Sequence, residues 1–351
     1  MNAHSKTSTS KKATKARVIM QDVADLVGVS RQTVSAVING KPGITEPTKE
    51  RVLAAIAELG YHPNLTARSL RTRRTHTIAL MLTDVSSPVA GRMAVAAESH
   101  AYQSHYNLVL YNTCDDVQRE RFYMNSILQR SVDGVLYISA RDESSVPALL
   151  QEASIPVVVI DRTPRSYSGP CVVLDNFEAG RMAGQHLISL GHRRIAHVGG
   201  PSFVHISDER LQGFQSAVQP WADLVDLCPV RAANWRIESG HSAMKSLLSR
   251  GSDFTAVFAA GDLLAIGAMR ALREAGKRIP DQVSVIGLDD IDVAPYLEPP
   301  LTTVSQSIAT MAETGMRMLL DIVRGEAPAQ TQIVLPPEIA IRGSTQALSS
   351  E

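Results

Sequence analysis

The chain has 351 residues, and its 35 Lys or Arg balance 35 Asp or Glu. The balance hides an asymmetry: residues 1–75 hold 13 basic and 5 acidic residues, net +8, leaving 22 against 30, net −8, for residues 76–351. A chain this long buries more than one core, and no stretch approaches 18 consecutive apolar residues, which argues against a membrane span.

Residues 1–17 are rich in Ser, Thr, Lys and Ala and hold no acidic residue, which predicts a disordered basic arm. From Ile19 to Leu59 the chain reads as three short helices. In the first, Val23, Ala24, Leu26 and Val27 fall at helical spacing, with Asp22 and Asp25 on the wet side. Gly28 permits the turn, and Ser30 is a good N-cap for the second helix. There Val34, Val37 and Ile38 face inward, leaving Arg31, Gln32, Ser35 and Ala36 outside. The third, about Glu46–Leu59, turns Val52, Leu53, Ile56 and Leu59 inward and ends at Gly60. This is the pattern of a helix-turn-helix DNA reader. Arg at the exposed start of the second helix can pair bidentately with guanine, and Gln with adenine. A small helical subdomain with an ordinary solvated face is the alternative.

The residues now reach a family. Asp22–Asn39 carry DVAxxxGVSxxTVSxVIN and Thr48–Arg71 carry TxxRVLxAIxELGYxPNxxARSLR. Both resemble the lactose-repressor and purine-repressor family, and the resemblance runs to about Ser344. It implies that Arg31 and Gln32 read bases. Ser30, Thr33, Ser35 and Asn39 are implied to position phosphates or form turns, without reading sequence. Ala36 stands where the lactose repressor has a base-reading arginine, so a different operator sequence is expected. Pro63 biases His62 away from helix, and Asn64 can cap a short helix to about Thr72. The resemblance implies that this hinge helix folds when two copies meet in the minor groove. Leu70 would wedge between base pairs there, and Ala67 and Arg71 would touch the groove. The expected domains are the arm, a DNA-binding head (18–63), a hinge and linker (64–75) and a body (76–345).

From residue 76 the pattern alternates between strand and helix. Strands are expected at Thr77–Leu82, Asn107–Tyr111, Gly134–Ile138, Val157–Ile160, Cys171–Leu174, Ile195–Val198, Ala256–Ala260 and Val283–Leu288. Helices between them cover Val89–Gln103, Gln118–Arg130, Glu178–Leu190, Arg210–Val218, Glu238–Ser249 and Asp262–Ala275. Near-continuous apolar strands alternating with helices imply parallel sheets covered on both faces, too many strands for one sheet. The expected fold class is therefore a three-helix head with a hinge helix, then two doubly wound α/β lobes. The resemblance implies a body like a periplasmic sugar-binding protein. Lobe one is expected at about 76–175 and 306–331, and lobe two at about 176–305 and 332–345.

Ligands in such folds bind beyond the carboxyl ends of strands. Asp84, Asn112, Asp115, Asp161, Arg162, Asp175, Asn176 and Asp289 follow strands here. By resemblance Asp161, Arg210, Trp235 and Asp289 match effector-contact positions, and Asp175 joins the acidic set. Asp175 and Asp289 also suit helix caps, Asp161 and Arg162 an ion pair, and Trp235 the core. His205, Ser207, Asp208 and Glu209 are further polar candidates. Val89 and Ala90 replace the aromatics of the purine repressor, and Gly261 replaces a ligand-binding Asn of the lactose repressor. A hydroxylated effector, a sugar or sugar derivative, is therefore favoured over a purine.

Enzyme readings find no footing: there is no GxGxxG after a strand, no Walker loop, no GxSxG elbow and no zinc spacing. No cofactor, metal or catalytic residue is expected. Cys114, Cys171 and Cys228 are far apart and odd in number, as suits reduced thiols, so a cytoplasmic, nucleoid-associated chain is expected. The expected function is a transcriptional regulator, a repressor, that binds a pseudo-palindromic double-stranded DNA operator under effector control. The alternative is a stand-alone sugar-binding protein with a non-functional head. No leucine heptads follow the body, so a homodimer is expected.

Overall fold

The computed structural model describes residues 18–62, 74–130, 132–221 and 226–348. The expected arm, and Asn64, Ala67, Leu70 and Arg71 of the expected hinge helix, lie outside the described residues. The chain divides into two units, 1–73 and 74–351, and each is taken by itself.

The first unit holds α1 (Met20–Val27), α2 (Arg31–Ile38) and α3 (Glu46–Leu59). Val23, Ala24, Val34, Val52 and Ala55 make its core with Val27, Val37 and Tyr61. Leu26 and Leu53 were expected inside but are 50% and 48% exposed. On α3 the small Ala55 takes the inner position beside Val52, which lets three short helices approach closely. Gly28 and Gly60 end their helices at φ +73° and +61°, the left-handed region where a Cβ is strained. The Arg51 guanidinium donates to the carbonyl of Val27 and ties α3 to the end of α1.

The second unit contains two six-stranded sheets. Sheet one comprises β1 (Thr77–Leu82), β2 (Asn107–Asn112), β3 (Gly134–Tyr137), β4 (Val157–Ile160), β5 (Cys171–Leu174) and β11 (Gln332–Leu335), ordered β11-β5-β4-β3-β1-β2. Sheet two comprises β6 (Arg194–Gly199), β7 (Asp226–Arg231), β8 (Ala256–Ala259), β9 (Ser284–Asp289), β10 (Thr302–Ser305) and β12 (Glu338–Ala340), ordered β12-β10-β9-β8-β6-β7. All pairs are parallel except β10 with β12. Each strand foreseen in the sequence is present within about two residues. The strands β7, β10, β11 and β12 were not foreseen.

Helices α4 (Pro88–Gln103), α5 (Val117–Arg130), α6 (Val146–Glu152) and α11 (Ile308–Arg324) belong with sheet one. Helices α7 (Asn176–Ser189), α8 (Ile206–Val218), α9 (Ile237–Ser249) and α10 (Asp262–Glu274) belong with sheet two. The chain crosses between lobes three times: after β5, between β10 and α11, and at Pro336-Pro337 between β11 and β12. The last crossing corrects the expected lobe boundary. Residues 332–335 pair with β5 in sheet one, so lobe two resumes only after Pro337. Two prolines in a row lack the N–H groups that would extend either ladder.

Helices α7 and α8 pack backbone to backbone. A Cβ on Gly180 would meet the Arg210 carbonyl at 1.9 Å, and one on Gly213 would meet the Phe177 carbonyl at 1.8 Å. That close approach fixes where α8 carries Arg210.

Candidate functional site

Strand ends and helix starts of both lobes converge on one cavity. Lobe one supplies Thr83, Val89, Ala90, Met93, Ile138 and Asp161; lobe two supplies Ile206, Arg210, Trp235, Gly261, Leu264 and Asp289; Gln306 lies at the second crossing. Four of the five expected effector residues therefore meet.

The site is organised around Arg210, which is 2% exposed. Its Nε donates to Asn176 Oδ1 at 2.8 Å and its Nη1 to the Ala260 carbonyl at 2.6 Å. Asp289 Oδ1 lies 3.8 Å from Nη1 and accepts from Gln306 Nε2 at 2.8 Å. The guanidinium also sits 5.4 Å from the centre of the Trp235 ring. Burial pushes the Asp289 carboxyl well above the usual carboxylate range, opposed chiefly by the Arg210 charge. Burial likewise raises Asp161, with Arg162 and Arg210 pulling it down, and burial lowers Arg210 itself. Asp161 and Asp289 take positive φ values of +62° and +128°. Such backbone costs about 1–3 kcal/mol per residue and collects at ligand sites.

Two buried polar atoms of cavity-lining residues, Trp235 Nε1 and Gln306 Oε1, have no hydrogen-bond partner. One is a donor and the other an acceptor. The Trp235 ring is positioned by glycines: a Cβ on Gly200 would meet Cη2 at 2.2 Å, and one on Gly261 would approach the ring and Asp289 at 3.3 Å. Gly199-Gly200-Pro201 reads in the sequence as a turn; here Gly200 is also the seat of the indole. Gln306 was not foreseen, because nothing in the polar run Ser305-Gln306-Ser307 marks a crossing between sheets.

The remaining candidates go elsewhere. Asp175 is the N-cap of α7, accepting from the Glu178 amide at 2.8 Å, and lines an adjoining interlobe cavity of ≈ 440 Å³ with Asp161, Ile206 and Glu209. Asp175 does not line the central cavity itself. Arg162 pairs with Asp115 at 3.0 Å and lies 3.8 Å from Asp161. Ser207 donates to the Pro201 carbonyl, and Asp208 pairs with Arg231. His205 donates its amide to Asp142 Oδ1 at 2.9 Å, and its ring Nδ1 lies 2.8 Å from the same oxygen, linking the lobes. Asp84 pairs with Arg236 at 2.8 Å and Arg92 donates to the Asp290 carbonyl at 2.8 Å, both across the cleft. The free space inside is ≈ 50 Å³, room for one or two waters. Ligand pockets ordinarily offer about 300 Å³ or more, so this part of the cleft, around Arg210 and Trp235, is contracted.

In the head, the Ser30 hydroxyl caps α2, accepting from the Thr33 amide at 3.1 Å. Asn39 donates back to the Ser35 carbonyl, and Arg31 and Gln32 are exposed at the start of α2. No group of three or more His, Cys, Asp or Glu that could hold a metal occurs among the described residues.

Residues 19–64 match the bacterial regulatory proteins of the lacI family, and residues 185–345 match a periplasmic binding protein-like domain. The HTH-type transcriptional regulator CelR of Thermobifida fusca is 37% identical over 339 residues, 93% of this chain and 98% of CelR. The chain belongs to the lacI family of bacterial regulatory proteins. The HTH-type transcriptional repressor PurR of Escherichia coli O1:K1 is 36% identical over 327 residues, 93% of this chain and 96% of PurR. Among solved structures, the lac repressor dimer bound to operator and the anti-inducer ONPF has a TM-score of 0.86 at 28% identity, covering 94% of this chain and all of that one. The CelR–cellobiose complex has a TM-score of 0.70 at 34% identity, covering 93% of this chain and 100% of that one. This lacI-family chain is thus a DNA-binding transcriptional regulator with an effector-binding body. No helix among the described residues is long and apolar enough to cross a membrane. Val89, Ala90 and Gly261 line this cavity together with Trp235.

Proposed function

We propose that this lacI-family regulator is a cytoplasmic, homodimeric repressor whose operator affinity is set by a sugar or sugar derivative in the interlobe cleft. The observation that carries the effector class is the pairing of an unmatched donor, Trp235 Nε1, with an unmatched acceptor, Gln306 Oε1, beside Asp289 and Arg210. Each buried unmet group costs about 1–3 kcal/mol, which a ligand hydroxyl would relieve. Carboxylates take hydroxyl hydrogens, and the indole and the aliphatic wall suit the apolar face of a sugar ring. Two relatives support this class: CelR is solved with cellobiose, and a LacI family regulator of Enterococcus faecium, 31% identical, with ribose.

On this reading Arg31 and Gln32 read base edges in the major groove, while Ser30, Thr33, Ser35 and Asn39 set register and Ala36 shapes operator choice. Asn64, Ala67, Leu70 and Arg71 would form the hinge helix, with Leu70 as the minor-groove wedge. A sugar must widen the contracted cleft. The Arg236–Asp84 pair across its mouth has an arginine side chain 60% exposed, so it opens at little cost. The change of lobe angle would reach the hinge helices through lobe one.

The test is a thermal-shift screen of the full chain against cellobiose, ribose, glucose, sugar phosphates and nucleobases, followed by operator-fragment anisotropy with whichever ligand raises the melting temperature. A sugar that stabilises the protein and changes operator affinity is expected. Stabilisation by nucleobases alone would refute the ligand class. Operator binding that survives deletion of residues 1–75 would refute the role given to the head.

A further inference from the structure

Lobe two holds a second cavity, of ≈ 270 Å³, between β6, β7 and the outer side of α8. His197 and Gly199 of β6, Ser207 and Leu211 of α8, and Pro229 and Arg231 of β7 line it. Neighbouring residues of α8, Ile206 and Arg210, line the interlobe cleft instead. The two cavities therefore share one helix as a wall but no lining residue.

The His197 side chain is the unusual element. It is 1% exposed and packs against Phe258, with ring centres 4.9 Å apart, and Phe214, at 6.2 Å, the two phenyl rings stacking on each other at 5.1 Å. Nδ1 lies 3.1 Å from the Phe258 carbonyl oxygen, which can only accept, so Nδ1 carries the proton. Burial keeps the ring neutral, with its pKa lowered to about 4. Nε2 is then a bare acceptor, and it has no partner. The space beside it is held open by a glycine: a Cβ on Gly199 would come within 3.2 Å of Nε2. The Ser207 hydroxyl gives its hydrogen to the Pro201 carbonyl, so it too offers the cavity only lone pairs. At the rim, Arg231 is paired with Asp208.

We propose that this cavity is a second small-molecule site, taking a neutral, largely apolar ligand with a single hydrogen-bond donor, of the phenol or indole class. A carboxylate would face two lone pairs with Arg231 already paired to Asp208, and a cation would lose its hydration against Leu211, Pro229 and Val230 beside that same arginine. Size agrees with a one- or two-ring molecule, since an apolar cavity of about 150 Å³ already holds benzene. The occupant's hydroxyl or ring N–H would donate to His197 Nε2 while its apolar body lies against Leu211 and Pro229. Ligand there would brace α8, the helix that aims Arg210 into the interlobe cleft.

The experiment titrates the full chain with phenol and with anisole, which keeps the ring and lacks the donor, and locates bound phenol in a soaked crystal. Phenol is expected at one site per chain in this cavity, and anisole about tenfold weaker, the worth of one hydrogen bond. His197→Phe preserves the aromatic packing and removes the acceptor, so phenol and anisole should then bind alike. Gly199→Val or Leu211→Trp fills the cavity and should abolish binding of both. Equal binding of phenol and anisole to the unaltered chain would overturn the proposal. So would crystals holding only waters at Nε2, or phenol only in the interlobe cleft. Neither readout depends on the sugar assignment.

Discussion

Replacing Arg210 with methionine keeps most of the side-chain volume and deletes the charge around which the cleft is arranged. The loss has three parts. The Ala260 carbonyl and Asn176 Oδ1 each lose a donor in a buried setting. Asp289 loses a cation 3.8 Å away, an attraction of about 4 kcal/mol at an effective dielectric constant of about 20. Breaking a buried pair by removing one partner costs about 3–5 kcal/mol once relaxation is included. For a body of this size that lowers the melting temperature by roughly 10 °C. The loss should also depend on pH. Without Arg210 the carboxyls of Asp289 and Asp161, already raised by burial, rise further. A raised folded pKa gives stability that is present at low pH and lost as pH rises, so Arg210→Met should cost more at pH 8 than at pH 5. Calorimetry of both proteins across that range reads this directly. A drop under about 2 °C, or one equal at both pH values, would refute the assignment of Arg210 as the charge that holds the cluster together.

Asp262, buried beneath β9 and β10, accepts from the Thr303 hydroxyl at 2.6 Å and the Ile291 amide at 3.0 Å, and burial pushes its carboxyl up to about 6 from 3.8. The stability this gives is complete below about pH 4 and disappears by about pH 6, on the order of 3 kcal/mol; Asp262→Asn should flatten that part of a urea-denaturation pH series, and an unchanged slope would count against it. Gly200→Ala puts a methyl group where the Trp235 ring lies, so binding of the sugar found by screening should weaken by about tenfold or more in calorimetric titration, and unaltered affinity would remove Trp235 from the site. Arg31→Ala should weaken specific operator binding by about 1–3 kcal/mol in anisotropy; an equal loss on random DNA would mean that Arg31 contacts phosphate rather than a base. Leu70→Ala should weaken specific binding while leaving most salt-sensitive non-specific binding, and equal loss of both would contradict the wedge role.

The buried parallel strands were legible because four to six apolar residues in a row have few other places to go, as at Val157–Ile160 and Ala256–Ala259. Strands β11 and β12 were not, because Gln332–Leu335 and Glu338–Ala340 are short, partly exposed pieces at sheet edges. Helix α11 was there to be read in the spacing of Ile308, Met311, Ala312, Met316 and Leu319, although Gly315 interrupts it where Ile160 lies close. In the cleft, Asp161 and Asp289 announced themselves by standing at strand ends, and Arg210 and Trp235 by resemblance. Asp175 stands at a strand end too, but a carboxylate just before a helix also serves as a cap, and here it caps α7 and lines the adjoining cavity rather than the central one. Gln306 and Gly200 matter only through distant partners, Asp289 and Trp235, which no local pattern specifies.

The most direct test of the central claim is one linkage measurement. Operator affinity is measured by anisotropy with and without a saturating sugar, and sugar affinity by calorimetry with and without operator. Both are expected to change by the same factor, because one lobe equilibrium connects cleft and operator. Sugar that binds tightly in the cleft while leaving operator affinity unchanged would contradict it.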